Sequence, residues 1–360
     1  TRPNIHIKDM VNVYKHFLKN NIYIESGFYN AGFENLKIID ISSKGEAIAR
    51  YNNIAIFIKN AVPGDICDVR IIKKRRKLWQ GAIERTHHYS ERRVDPRCLH
   101  FQTCGGCKWQ NMNYDSQLYF KENHILNNLS KIGHLKLPEN KHIIGSPKKY
   151  YYRNKMEFSF SNHRWLDNIE INTDKDIEDR NACGLHVSGM FNKVVDLKEC
   201  HLQKDPSNEI RLSIKNFANK NNLTFFNFKT SEGLLRNLII KTSTTNDLMV
   251  LVQFANNNKS RIRLVMNHLK STFPNITSLL YIINKKANNT IYDQDIILYH
   301  GKDYIKEQID GLTFRVGPKS FFQSNTAQAE ILYKKIKELS KVKKNDIVYD
   351  LYTGTGTIAQ

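Results

Sequence analysis

Acidic residues are in short supply in this sequence of 360: 35 Asp and Glu stand against 55 Lys and Arg, a formal net charge of +20. The charged fraction, 25%, is ordinary for a soluble protein. The imbalance is therefore one of sign, and it favours a polyanionic partner, nucleic acid first and an anionic membrane surface second. Long apolar runs are also missing. None approaches the roughly 18 uncharged residues of a membrane span, so no membrane association is expected. The opening residues, Thr1-Arg2-Pro3-Asn4-Ile5-His6, hold neither an initiator Met nor a secretory signal pattern. A cytoplasmic protein is the expectation, and one read here as a fragment, because Ala359-Gln360 falls in what reads as the first turn of a helix. Repeats and low-complexity segments are absent too. With 40% hydrophobic and 11% aromatic residues, wholesale disorder is excluded.

Cysteines number only six, Cys67, Cys98, Cys104, Cys107, Cys183 and Cys200. Without a signal peptide they read as metal ligands or reactive thiols before disulfides. The run Cys98-x5-Cys104-Gly105-Gly106-Cys107 places two thiols two residues apart, with a glycine pair that lets the backbone fold tightly between them. A third thiol upstream suits an iron–sulfur cluster as well as zinc. A fourth ligand is needed; Cys200 is the best candidate and Cys183 the alternative.

Along the chain, residues 1–32 carry no readable role. Segments 37–41, 47–50, 54–58 and 66–71 read as short strands parted by turn residues, the pattern of a small β-barrel. From Arg70 to Arg97 ten basic residues face three acidic ones, with Trp79, His87, His88 and Tyr89 interleaved. Lys73, Lys74, Arg75, Arg76 and Lys77 are the densest part and the candidate RNA contacts. A helix capped by Asp115 carries Leu118, Ile125, Leu129 and Ile132 on one face and ends at Gly133. Residues 150–316 form an α+β segment, with strands at 157–160, 248–254, 278–283 and 312–316 and helices from Asp205-Pro206 and over 261–273. An acidic stretch, 166–180, reads as a surface loop turned away from the polyanion. The last helix follows Asn325-Thr326 with Ala329, Leu332, Ile336 and Leu339 on one face. A buried strand at 346–350 then leads into Asp350-Leu351-Tyr352-Thr353-Gly354-Thr355-Gly356-Thr357. An acid at the end of a strand, followed by a glycine-rich turn, makes Asp350, Gly354 and Gly356 candidate nucleoside-cofactor residues. Local pattern alone fits a dinucleotide site as well as a methyltransferase.

Taken together, these motifs resemble the RNA 5-methyluridine methyltransferases, most closely the RumA type that acts on 23S ribosomal RNA. The resemblance covers about residues 35–360. It rests on the cysteine spacing with its Gly-Gly, on Val194-Val195-Asp196-Leu197 before Cys200, on the box Phe321-Phe322-Gln323-Ser324-Asn325, and on the loop from Asp350 to Gly356. The organisation it implies is multidomain: an N-terminal extension (1–32), an OB-like TRAM β-barrel that binds RNA (33–92), a central iron–sulfur α+β domain (93–315), and the start of a Rossmann-like α/β methyltransferase domain (316–360). It implies a 4Fe–4S cluster on Cys98, Cys104, Cys107 and Cys200, which demotes zinc and Cys183. It implies S-adenosylmethionine contacts at Gln323, Tyr352 and Thr357, the last being the position where relatives often have Asn. Phe321 would stack on an RNA base, and Arg153, in Tyr152-Arg153, would contact the RNA. The implied reaction is methylation of carbon 5 of a uridine in 23S rRNA by a monomer. Its nucleophilic Cys and its Glu base are expected beyond Gln360, so no catalytic residue is assigned here. The rival is an RNA-binding iron–sulfur module without activity of its own. A radical methylthiotransferase is disfavoured by the x5 spacing, and a nicotinamide oxidoreductase leaves the basic stretch unexplained.

Overall fold

The computed structural model describes residue 15 and residues 35–76, 78–139, 141–172 and 179–358. The N-terminal extension, apart from residue 15, thus lies outside the described residues, as does Lys77. Two compact units are formed: residues 1–96 with 108–143, and residues 97–107 with 144–360.

The first unit is a closed five-stranded barrel in the order β1 (Leu36–Ile41), β2 (Ala47–Tyr51), β3 (Ile54–Ile58), β5 (Leu78–His88), β4 (Ile66–Arg75). Alternation drives the closure: Leu36, Ile38, Ala47, Ala49, Ile56, Ile58, Cys67 and Val69 fill the interior. The first four strands fall where the sequence pattern puts them. The fifth, β5, escapes that reading. It pairs antiparallel with β4 and parallel with β3, and without it the barrel could not close. Gly81 marks the crowded point, since a Cβ there would lie 2.3 Å from Val69 Cγ1. Asp65, fully buried, accepts from Val62 N at 2.7 Å, from Ser90 N at 2.9 Å and from both Arg93 Nε and Nη2 at 2.8 and 2.7 Å, tying the strand-bearing segment to the residues after β5.

The domain boundary differs from the sequence expectation. Residues 108–143, assigned to the central domain, pack with the barrel, because Trp109, Met112 and Phe120 form an apolar cluster with Ile41 and Val62. Helix α1 (Tyr114–Asn127) is capped by Asn113, whose Oδ1 accepts from Ser116 N at 2.9 Å, and not by Asp115. The face expected to be covered is not: Ile125, Leu129 and Ile132 are exposed, and Ser116 and Phe120 are buried instead.

The second unit holds a seven-stranded sheet in the order β12 (Ile296–Gly301), β11 (Ser278–Ile283), β10 (Leu248–Phe254), β9 (Leu235–Thr242), β6 (Lys155–Ser161), β7 (Ala182–His186), β8 (Val194–Asp196). Only β10 and β11 run parallel. Helices α2 (Ser207–Lys220) and α3 (Lys259–Thr272) cover one face, where Ile210, Ile214, Val265 and Leu269 meet Phe158, Leu238, Ile240 and Val250. On the other face Ile239, Met249 and Leu251 meet Ile305 and Val316 of the hairpin β13 (Ile305–Ile309) and β14 (Leu312–Val316). The central strands β9 and β10 are therefore covered on both sides, which explains why they read as nearly continuous apolar runs. Helix α4 (Thr326–Ser340) follows, capped by Asn325, whose Oδ1 accepts from Gln328 N at 3.1 Å. Of its expected apolar face only Ala329 is buried, against Ile309 and Phe314.

The Rossmann-like opening is not formed. Residues 346–350, expected as a buried strand, are not in a strand, and Ile347, Val348 and Tyr349 are exposed. The physical reason is that a strand needs neighbours for its backbone groups, and the described residues offer this segment none.

Candidate functional site

Three of the residues picked from sequence converge. Arg153, Phe321 and Gln323 line one cavity of about 540 Å³ in the second unit, floored by Ile239 and Lys241 of β9 and bounded by Glu157, Glu307 and the segment Asn289–Tyr292. Strand alternation explains the floor: Leu238 and Ile240 point to the helical face, so Ile239 and Lys241 point to this one.

The wall bearing the Phe321–Asn325 box is held from below. Lys241, buried, donates through Nζ to Gly317 O at 2.8 Å, Pro318 O at 3.1 Å and Ser320 O at 3.3 Å. Burial, reinforced by Lys155, pushes this lysine down to about 8. Asn154 Nδ2 donates to Gln323 O at 2.7 Å and to Thr326 Oγ1 at 2.9 Å, and Thr326 Oγ1 donates to buried Glu307 at 3.0 Å. Phe321 is left 68% exposed, presenting a ring face instead of filling the core.

Arg153 is aimed by the segment before it. Tyr151 N donates to His201 O at 2.8 Å and Arg153 N to Leu202 O at 2.9 Å. Between them Tyr151 adopts a φ of +54°, unusual for a bulky residue, and its hydroxyl is hydrogen-bonded with His201 Nδ1 at 2.9 Å, Glu199 at 3.2 Å and Arg97 at 3.2 Å. Arg153 Nε is buried with no acceptor among the described residues. A donor left so costs about 1–3 kcal/mol unless a ligand satisfies it.

The cysteines fall into two groups. Burial and the nearby Cys107, Cys200 and Cys98 push Cys104 up to about 12, and Cys200 is raised by burial with Cys107 and Cys98 also acting on it. Cys183 has Arg211, Asp196 and Lys215 as its charged neighbours, and sits fully buried in β7. The structure thus places Cys200 with the upstream trio, and Cys183 apart. Gly105 earns its place by packing: its N donates to His186 O at 2.9 Å, and a Cβ would lie 2.8 Å from that same oxygen. Gly106 N donates to Cys104 Sγ at 3.4 Å. Cys200 N donates to buried Asn208 Oδ1 at 2.8 Å. Among the described residues no three His, Cys, Asp or Glu side chains are gathered into a site for a metal ion.

The glycine-rich loop stays apart from the cavity. Asp350, Tyr352, Gly354, Gly356 and Thr357 are not among its lining residues. Tyr352 is fully exposed at φ +64°, Gly354 and Gly356 have φ of +59° and +76°, Asp350 accepts from Thr353 Oγ1 at 2.8 Å, and Thr357 donates to Tyr333 at 3.1 Å.

In the barrel unit, Lys73, Lys74, Arg75 and Arg76 are exposed at the tip of the β4–β5 hairpin. Lys74 Nζ lies 4.5 Å above the Trp79 ring. Their stretch forms the β4–β5 hairpin of the barrel. Sequence reasoning missed Arg236, Lys241, Asn289 and Tyr292; the one available signal was two cations inside an otherwise apolar strand, Leu235–Thr242.

Comparison with known proteins fits this geometry. Residues 34–81 match the TRAM domain. The chain is 44% identical over 322 residues to an RNA methyltransferase of Bacteroides thetaiotaomicron, covering 89% of this chain and 71% of that one. It is 43% identical over 329 residues to another of Porphyromonas gingivalis, covering 90% and 71%. The fold is similar to a tRNA (uracil-54, C5)-methyltransferase of Pyrococcus abyssi in complex with S-adenosyl-L-homocysteine, with a TM-score of 0.65, 24% identity, and coverage of 91% of this chain and 70% of that one. Relatedness over nine-tenths of the chain defines the class as that of the RNA methyltransferases. The chain belongs to that family. Among the described residues no helix is long and apolar enough to cross a membrane.

Proposed function

We propose that this chain serves S-adenosylmethionine-dependent methylation of carbon 5 of a uridine in 23S rRNA, as a cytoplasmic monomer. The observation that carries the reading is the meeting of Arg153, Phe321 and Gln323 in one cavity. Carbon 5 of uracil is a poor nucleophile, so a thiolate must add at carbon 6 to let carbon 5 take the methyl, with S-adenosylhomocysteine leaving, and a base must then remove the carbon 5 proton as the thiolate is expelled. Neither group is assigned among the described residues. S-Adenosylmethionine supplies the activated methyl. The chain's own part is to grip RNA through Lys73–Arg76 and Lys77, to present Phe321 as a stacking face, to give Arg153 Nε an acceptor on the RNA, and to hold the cofactor at Gln323, with Asp350, Tyr352, Gly354, Gly356 and Thr357 completing that contact.

Cys98, Cys104, Cys107 and Cys200 would hold a 4Fe–4S cluster. The donor set fits: Cys104 and Cys200, held up by burial and by the neighbouring thiols, need a cationic centre to become thiolates, and the Gly106 N–H is already directed at Cys104 sulfur. The cluster's role is structural, joining segment 97–107 to Cys200 and the turn after it, whose carbonyls at His201 and Leu202 align Tyr151 and Arg153.

Anaerobically purified chain should contain iron with 4Fe–4S absorbance, lost in Cys200→Ser and kept in Cys183→Ser; zinc in its place would refute the cluster. The gene product carrying this chain should transfer methyl to a uridine of 23S rRNA. Transfer to tRNA alone would refute the substrate, and no transfer at all the function. A second reading, an RNA-binding module, is favoured by one observation: the Asp350–Thr357 loop does not join the cavity.

A further inference from the structure

The wall of the cavity opposite the Phe321 box is built with unusual care. Arg236, also from β9, is 1% exposed, and all five of its N–H groups are engaged by one loop. Nη1 donates to Asn284 O at 3.0 Å and to Lys286 O, Nη2 to Ala287 O at 3.2 Å and Asn288 O at 2.9 Å, and Nε to Asn289 Oδ1 at 3.0 Å. Connecting loops are ordinarily the mobile part of a domain. One wrapped round a buried guanidinium is fixed, and its continuation, Asn289, Thr290, Ile291 and Tyr292, lines the cavity. Both walls are thus clamped by buried cations of the same strand, which is how a site is preorganised before its ligand arrives.

The chemistry of this second wall is selective. Because Arg236 donates to Asn289 Oδ1, the group Asn289 retains for a ligand is its NH₂, a donor. Tyr292 offers an aromatic ring that is 69% exposed. An unpaired base can stack on the ring, and a carbonyl edge can accept from the amide. Uracil presents an acceptor at O4 where cytosine presents an amino donor. We infer that Asn289–Tyr292 is a specificity wall that reads an unpaired uracil in the RNA, with Tyr292 stacking on the base and Asn289 donating to its carbonyl. This rests on the RNA reading above and adds to it the residues that choose the base.

The test uses the whole chain and short single-stranded RNAs identical except for one uridine or cytidine in an adenosine background. The natural chain should prefer the uridine RNA by about tenfold. Tyr292→Ala should weaken binding of the uridine RNA by about tenfold, with Tyr292→Phe restoring it, because a ring is what stacking needs. Asn289→Asp keeps the oxygen that Arg236 uses but replaces the donor with an acceptor, so it should reverse the preference to cytidine. A natural chain that binds RNA without preference overturns the inference, as does an Asn289→Asp chain that still prefers uridine. A natural chain that binds neither RNA overturns the RNA reading itself.

Discussion

The β4–β5 hairpin and strand β9 both carry cations, yet they use them in opposite ways. On the hairpin, Lys73, Lys74, Arg75 and Arg76 stand in solvent, where their charge is felt at a distance and screened by salt. In the second unit, Arg236 and Lys241 are buried and direct their N–H groups at backbone carbonyls. The lesson is that net charge alone does not locate a polyanion site. Part of the +20 stands free on the hairpin, where it would attract RNA, and part braces the walls of the cavity where one of its bases would be read.

The contrast can be broken most sharply at Arg236. Arg236→Met would strip the 284–289 loop of five hydrogen bonds, leaving several carbonyls with no donor, and should cost about 4 kcal/mol in chemical denaturation. A loss below about 1 kcal/mol would mean that the loop holds its shape without the clamp. Lys241 tests the same idea through pH. Its folded value of about 8 lies below the ordinary 10.5, so between those two values the unfolded chain binds more protons than the folded one. Stability therefore rises as pH climbs from 8 to 10.5, by up to about 3 kcal/mol from this group. Lys155 repels the same charge, while Glu157, Glu307 and Arg153 line the cavity around it. Lys241→Met should flatten the rise over that window, and an unchanged pH profile would place the proton elsewhere.

How much of this was legible in the sequence depended on whether the signal was local. Four barrel strands, the central strands, the cap at Asn325 and the helix start at Asp205-Pro206 declare themselves through short-range pattern, and they stand close to where that pattern puts them. Strand β5 does not, because its charged residues mask the inward Trp79, Gly81 and Ile83, and only its pairing with β3 and β4 makes it a strand. Segment 346–350 fails for the converse reason: its residues suit a strand, but the described residues supply no sheet for it to join. In the site, spacing alone picks out Cys98, Cys104 and Cys107, whereas Cys200 lies some ninety residues further along and has no such local signal. Arg236 and Lys241 were invisible as clamps, since their carbonyl partners lie some fifty and seventy-five residues away along the chain.

The hairpin side of the comparison predicts small stability effects and large salt effects. Replacing Lys73, Lys74, Arg75 and Arg76 by Gln should change stability by less than about 0.5 kcal/mol. The slope of log affinity for single-stranded RNA against log salt should fall by up to about 3. Trp79 separates the two contributions within the same site. It lies under Lys74 and lines a hollow of about 360 Å³ with Phe57, Lys73 and Arg75, so a base entering there would meet a ring as well as charge. Stacking is insensitive to counterions, and phosphate neutralisation is not. Trp79→Ala should therefore weaken RNA binding by about 1 kcal/mol at every salt concentration, leaving the slope unchanged, and Trp79→Phe should recover most of the loss. Because Trp79 also packs against the barrel interior, a melting curve must accompany the measurement. A variant that stays folded and loses slope in place of affinity would show that the ring serves only to hold Lys74 in position.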